Sequence, residues 1–507
     1  MPPQVNRRGF LKRILAGGVA PYVSIALGAP MPARKIRTPA EVGLGARPDR
    51  PREPFDLPLP DYEVPIPVKD GYLHIKGAFD AIDGAGRKGQ SFTMRLPEGP
   101  VTLPPQSLQK TRAWHIDWNG RHSEETCIAL VGAKNGTSHI NGTAESNGGV
   151  LRFVRAGGLW RIKDFAFSHI WGDAFSFGTG LANQKKCVVV FENLKGRYIK
   201  GRFFMRSCEW RGDIVRPRFQ STAPLPAVTN DETWISDCDV RYQAGSHLLY
   251  ADNAAYMFAR RCKFGAGGNH TFKDVSRRVD VEDCTISNAD PDTLKPHTIR
   301  SGESPLWPNG HTFLGDSAPV NFHAESVVHA KRLKVYKIWP TGFPDGGAAA
   351  VTRQVRWALH YVDPELVNPS SRDYWIAARA AGIEKPDNPY LFPALFESCH
   401  FENWMDGRSP AVNKRYVILN QGSYPSERHD DDKMHPLLDE NADPVKKMNH
   451  PDLWFERARD FMFDCKSVNF YEPWILQVPW GSRYPAIANR VTKYETIMFQ
   501  QVSTKAA

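Results

Sequence analysis

One cysteine motif recurs along the middle of the chain. Ser207-Cys208-Glu209-Trp210, Asp237-Cys238-Asp239-Val240, Arg261-Cys262-Lys263-Phe264, Asp283-Cys284-Thr285-Ile286 and Ser398-Cys399-His400-Phe401 each set a Cys, one polar residue and an apolar one in a row. Intervals from Cys208 to Cys284 are 30, 24 and 22 residues, and Cys187 lies 21 before Cys208. Such alternation is the side-chain period of a strand. A strand that returns to the same place every 22 to 24 residues is what one coil of a solenoid supplies. The Cys and the residue two later then point inward, the residue between them points out, and the small thiols stack as a column. Disulfides are the competing reading, because eight cysteines is an even number. Parallel strands stacked one above another do not readily offer the side-chain geometry a bridge needs.

Composition fits that architecture. Hydrophobic residues make up 41 % and charged residues 24 % of 507, as in a folded chain. Forty Pro and forty Gly interrupt long helices. The 65 Lys and Arg against 55 Asp and Glu leave +10, which tolerates a polyanionic partner. No basic run with interleaved aromatics marks a nucleic-acid binder, and no nucleotide loop, zinc spacing or nucleophile elbow is present.

The first 33 residues read as an address. Asn6-Arg7-Arg8-Gly9-Phe10-Leu11-Lys12, an apolar run from Ile14 to Leu27 and small residues from Ala29 to Ala33 resemble a bacterial twin-arginine export signal. That resemblance implies export of the folded chain to the periplasm or beyond; a basic N-terminal arm is the competing reading. Cleavage near Ala33 removes four basic residues and no acid, leaving 61 against 55. No other segment reaches the run of about eighteen apolar residues that a membrane span needs. Residues 34–68 hold prolines at 39, 48, 51, 54, 58, 60, 65 and 67 and read as an extended strap or linker.

The expected body is then a solenoid core over 69–300, a loop-rich excursion over 301–393, and final coils with a C-terminal extension over 394–507. A short amphipathic helix is expected from Ser371 to Ile383. Long excursions in solenoids emerge on one face and form the walls of a groove.

Stretches such as Gly172-Asp173-Ala174-Phe175-Ser176-Phe177 and Arg278 to Asn288 resemble coils of the pectate lyase-like superfamily. The resemblance covers roughly 70–300 and resumes near 394–404. It implies an all-β, right-handed parallel β-helix. It leaves the chemistry open, since that superfamily hosts lyases, hydrolases, epimerases and phage tailspikes.

A second repeat bears on chemistry. His169 precedes Asp173, His247 precedes Asp252, His270 precedes Asp274 and His311 precedes Asp316, each by four or five residues. His247 and His270 follow Cys238 and Cys262 by nine and eight residues, which puts them on adjacent coils at nearly one azimuth. These pairs read either as corner residues bonding the turn backbone or as a stripe facing a substrate.

The densest cluster is Gly268-Asn269-His270-Thr271-Phe272-Lys273-Asp274-Val275-Ser276-Arg277-Arg278. Inward Val279 and Val281 leave Lys273 and at least one of Arg277 and Arg278 outward. The segment is loosely similar to the Lys and Arg pair of the chondroitinase B and alginate lyase family. It departs from that pattern in having Asp274 rather than Ser after Lys273, and an Arg that follows too soon. The similarity implies β-elimination on a uronic acid. That reaction needs a base for the C5 proton and a cation to neutralise the neighbouring carboxylate. Lys273 is the expected base, lowered from a reference near ~10.4 by nearby guanidinium groups. Arg277, Arg278 or Arg241 takes the carboxylate, and His270 or His247 protonates the leaving oxygen. The bland reading is a solvated outer face.

A glycoside hydrolase using Asp252 and Asp274 is the first alternative, and a non-catalytic carbohydrate-binding or assembly scaffold the second. Polygalacturonase signatures are absent in order; Arg161-Ile162-Lys163 matches one triplet in isolation. Trp234 stands for the many tryptophans able to stack on sugar. The run Asp430-Asp431-Asp432 between His429 and His435 offers oxygen ligands for calcium, against a solvated loop. The expected partner is an anionic polysaccharide; the oligomeric state stays open.

Overall fold

The computed structural model describes residues 50–105, 115–117, 125–143, 149–154, 157–179, 186–208, 231–245, 247–252, 256–276, 278–315, 318–322, 327–339, 350–352, 395–405, 409–410, 418–422, 461–463, 465–468, 475–479 and 504–505. Short strands dominate it, and nearly all pair in parallel.

The strands form three parallel ladders, and each full coil adds one rung to each in turn. Glu232–Ser236 stacks below Tyr256–Arg260 and Arg278–Glu282 in the first ladder. Asp239–Gln243, Lys263–Gly265 and Thr285–Ser287 do so in the second. Leu249–Asp252, Phe272–Val275 and Val320–Phe322 do so in the third. In two earlier coils a single 13-residue strand, Gly158–Ile170 or Cys187–Ile199, bends from the first ladder into the second. This is a parallel β-solenoid with three strands per coil. The first ladder already begins at Glu63–Pro65, within the stretch expected to be strap. A helix, Ile75–Gly84, buries the i, i+3, i+4, i+7 stripe Ile75, Ala78, Phe79 and Ile82 in the core of the first coils.

The cysteine column is present, and the corner between the first and second ladders explains it. Asp164, Asn193, Asp237, Arg261, Asp283, Arg332 and Ser398 all turn that corner with φ between 49° and 64°. The next residue in each case, Phe165, Leu194, Cys238, Cys262, Cys284, Leu333 and Cys399, is buried. Left-handed backbone is costly for most side chains, and Asp and Asn are among the few that tolerate it. Outside the corner, each Arg grips the Asp one rung below: Arg261 holds Asp237 at 2.7 Å, and Arg332 holds Asp283 at 2.5 and 2.6 Å. Inside it, the Cys262 thiol donates to the Arg260 carbonyl at 3.1 Å. Cys127, Cys187, Cys238, Cys262, Cys284, Cys399 and Cys465 are free thiols. Cys187 and Cys208 depart from the expected column: Cys187 opens a first-ladder rung, pairing with Gly158, and Cys208 ends a third-ladder rung, pairing with Thr179.

Apolar residues from the three ladders fill the coil, with Phe167, Phe175, Phe191, Phe203 and Phe204 in mutual ring contact. Gly196 is required there, because a Cβ would stand 2.5 Å from Phe167 and 2.8 Å from Val240. A buried ion pair, Arg206 to Asp231 at 3.1 Å, also lies within the described core.

Residues 50–58 cross the outside of the first ladder. Phe55 packs edge-on to Trp234 at 5.9 Å, and Arg161 donates to the Phe55 carbonyl at 2.9 Å. Glu53 pairs with Arg260 at 2.7 Å, and Arg50 reaches Glu282 at 3.0 Å. The strap thus runs from one rung to the next along the solenoid.

Candidate functional site

The third ladder carries the candidate site. The chain's longest connections begin or end at its edges: residues 288–319 lead into it, and 209–231, 353–394, 423–460 and 480–503 lead out of it. Within 288–319, strands His297–Ile299 and His311–Phe313 form an antiparallel hairpin.

Register defines the site. Phe175, Phe204, Leu249, Phe272 and Val320 are Cα partners on five successive rungs, and all point inward. The residues one further on, Ser176, Met205, Tyr250, Lys273 and Asn321, form the outward column. Two residues before each inward position stand Asp173, Arg202, His247, His270 and Ala318, at the corner where the chain enters the ladder.

These two columns converge on Tyr250. Its ring lies 4.7 Å from Lys273 Nζ and 5.8 Å from the Arg202 guanidinium carbon. The His247 imidazole stacks on it at 5.3 Å and 28°, and His270 stacks on His247 at 5.4 Å and 18°. Asp173 fixes Arg202 from both ends. It accepts from the Arg202 backbone N–H at 2.8 Å and faces Nη1 at 3.5 Å. His270 is held at both nitrogens: Nδ1 bonds the Ala318 carbonyl at 2.7 Å, and Asn321 Nδ2 meets Nε2 at 2.8 Å. Nδ1, facing a carbonyl, is the donor there, and the two contacts fix the plane of the ring.

Lys273, His247 and His270 are therefore brought together as their spacing predicts. The other sequence candidates stand elsewhere. Arg241 lies on the second ladder and is held by Asp239 at 2.6 Å, Asp290 at 3.1 Å and Asp292 at 2.7 Å. Arg278 points outward as alternation demands, but on the first ladder, where it binds Asp280 at 2.9 Å. Trp234 is fully buried under the strap and donates to Glu232 at 2.8 Å. Asp274 points into the coil, fully buried, accepting from the Ser276 N–H at 2.7 Å and its hydroxyl at 2.8 Å. Asp252 ends its strand, with its side chain outside the described residues, as are Arg277 and the Asp430–Asp432 run. Among the described residues no group of three or more His, Cys, Asp or Glu is placed to hold a metal ion.

The expected stripe of four His–Asp pairs reduces to two rungs. His169 turns a second left-handed corner, at the end of the second ladder, with φ 57°. It heads a different column, stacking on Tyr198 at 5.1 Å, which stacks on Tyr242 at 5.3 Å. The next rung has Ala266 at that corner, and the hairpin delivers His297 onto Tyr242 at 4.0 Å and 19°. His311 packs within the hairpin against Trp307 and Phe313. Burial holds the His297 imidazole below its ordinary range; Asp290 and Glu303 oppose this and Arg197 adds to it. Arg202, Tyr250 and Asn321 escaped the sequence reading. Their signal was positional: each stands at the offset from an inward aromatic or aliphatic residue that His247 or Lys273 occupies on its own rung.

The fold and site define a parallel β-solenoid that concentrates a Lys, an Arg, a Tyr and two imidazoles on the outer face of one ladder. No protein-family model matches the chain, and no curated protein does. Among solved structures, ORF18 of Geobacillus virus E2 is similar over 82 % of this chain, with 10 % identity and a TM-score of 0.36; the chain spans only 61 % of that protein. The A-modules of the Azotobacter vinelandii mannuronan C-5 epimerases AlgE4 and AlgE6 are 8 % and 9 % identical, with TM-scores of 0.33 and 0.31. They match 87 % and 86 % of this chain and 93 % and 96 % of their own lengths. Likenesses of this size leave the chemistry to be read from this chain's own side chains.

Proposed function

We propose that this chain is an exported enzyme that cleaves an acidic, uronic-acid-containing polysaccharide by β-elimination, on a solenoid whose coils wind right-handed. The observation that carries the reading is the cluster at Tyr250, where Lys273 and Arg202 flank one ring and His247 stacks on it. Arg202, oriented by Asp173, neutralises the uronate carboxylate and so acidifies the C5 proton. Lys273 takes that proton, the C4=C5 double bond forms, and the C4–O bond breaks. His247 supplies the proton that the departing oxygen acquires. His270 positions His247 and transfers no proton itself.

Hydrolysis by a carboxylate pair is less well supported, because Asp274 faces the coil interior and is bonded to Ser276. The right-handed winding follows the general preference of parallel crossover connections and the resemblance to pectate lyase-like coils. The twin-arginine resemblance of residues 6–12 supports a periplasmic or extracellular site of action.

The test is to incubate the mature chain with uronic-acid and neutral polysaccharides, with and without a calcium chelator, following ultraviolet absorbance of the new double bond and the growth of reducing ends. Absorbance rising on an acidic polymer supports elimination. Reducing ends without absorbance point to hydrolysis, and silence in both channels points to a binding scaffold.

A further inference from the structure

Among the described residues, Arg152, Arg202 and Lys273 stand on alternate rungs of the third ladder. Arg152 lies on strand Leu151–Val154, opposite Ser176 on the next rung. Arg202 belongs to the rung after that, and Lys273 lies two rungs beyond Arg202, opposite Tyr250. The rungs between them carry Asp173 and Ser176, then His247 and the buried Tyr250, and the rung after Lys273 carries the buried Asn321. Rungs repeat at about 4.8 Å, so the cations recur at roughly 10 Å, and Arg152 stands roughly 19 Å from Lys273 along the axis.

We propose that this face binds an acidic glycan laid along the solenoid axis as an extended two-fold ribbon, reading the carboxylate of every second sugar. This deepens the elimination reading and rests on it. In a ribbon of equatorially linked sugars successive residues face opposite ways, so carboxylates on one side recur every two sugars, a distance of the same size as two rungs. Asp173, on the rung between Arg152 and Arg202, repels a carboxylate presented there. A glycan that turns its acids by a different angle per sugar meets that repulsion. Arg152 is exposed, four rungs from Lys273, and reaches only a chain long enough to span both.

The experiment is calorimetric titration of the full mature chain with β-(1→4)-linked oligoglucuronates from disaccharide to octasaccharide, and with α-(1→4)-linked oligogalacturonates of equal length and charge, at fixed ionic strength. For the ribbon series, affinity rises with length up to about five sugars, the number that spans four rungs at one sugar per rung. Arg152→Gln removes about tenfold from the pentasaccharide, the size of one charge-assisted contact, while the disaccharide is bound as before. Circular dichroism confirms that the variant is folded. Equal weakening at every length, no weakening at any, or equally tight binding of the galacturonates overturns the proposal. Absorbance of unsaturated product is recorded in parallel. Product formed by the wild type with no length-specific effect of Arg152 overturns this inference alone, and failure of both acidic series to bind overturns the elimination reading with it.

Discussion

The imidazoles of His247 and His270 stack 5.4 Å apart on adjacent rungs, and His270 is clamped between the Ala318 carbonyl and the Asn321 amide. Replacing His270 leaves Asn321, only 1 % exposed, with a buried donor lacking its acceptor. His270→Ala is expected to cost about 2–3 kcal/mol of stability, read from the urea midpoint. Turnover should fall through kcat more than KM, because the ring that positions His247 is gone. An unchanged midpoint contradicts the clamp.

The strap depends on one side chain. Phe55 is 8 % exposed among Trp234, Tyr256, Phe258 and Val190. Phe55→Ala should destabilise by about 3 kcal/mol through lost burial and the cavity left behind. Limited proteolysis near residue 50 should accelerate in the variant. Cleavage at the wild-type rate shows that the strap is held by its ion pairs instead.

The hairpin gives stability a pH dependence of definite sign. His297 has its pKa lowered from 6.5, chiefly by burial, so the folded state resists protonating it. Its contribution is complete above 6.5 and is lost as pH falls below that value. Burial pushes the Asp290 carboxyl up, but hydrogen bonds from Tyr242, Thr293 and Arg241 outweigh this and bring it down to about 2. Its contribution is present above 3.8 and is lost as pH falls toward 2. Urea midpoints should therefore decline in two stages on acidification. His297→Phe, which keeps a ring on Tyr242, should flatten the upper stage and spare the lower one. An unaltered upper stage assigns it to the other buried imidazoles, His139, His169 and His311, whose pKa values burial also lowers.

Much of the solenoid was legible because its period is written in one residue type. Cys238, Cys262 and Cys284 mark one corner on three successive coils, and from them the shared azimuth of His247 and His270 follows by counting. The column itself runs further than its cysteines, because Phe165, Leu194 and Leu333 fill the same corner with unlike side chains. Alternation put at least one of Arg277 and Arg278 outward, yet a three-faced coil has three outward directions, and period two does not distinguish them. Trp234 was unreadable for a different reason: residues 50–58 cover it from more than 170 positions away in sequence. His169 left the expected stripe because a single left-handed residue at the end of the second ladder moves it to another column.

In the proposed elimination Lys273 withdraws the C5 proton. The direct measurement compares Lys273→Ala with the wild type for both binding of an acidic oligosaccharide and initial rate of double-bond formation. The variant's rate should be at least about a hundredfold lower, the usual contribution of a general base, with affinity reduced far less. A Lys273→Ala variant that forms the unsaturated product at the wild-type rate contradicts that role.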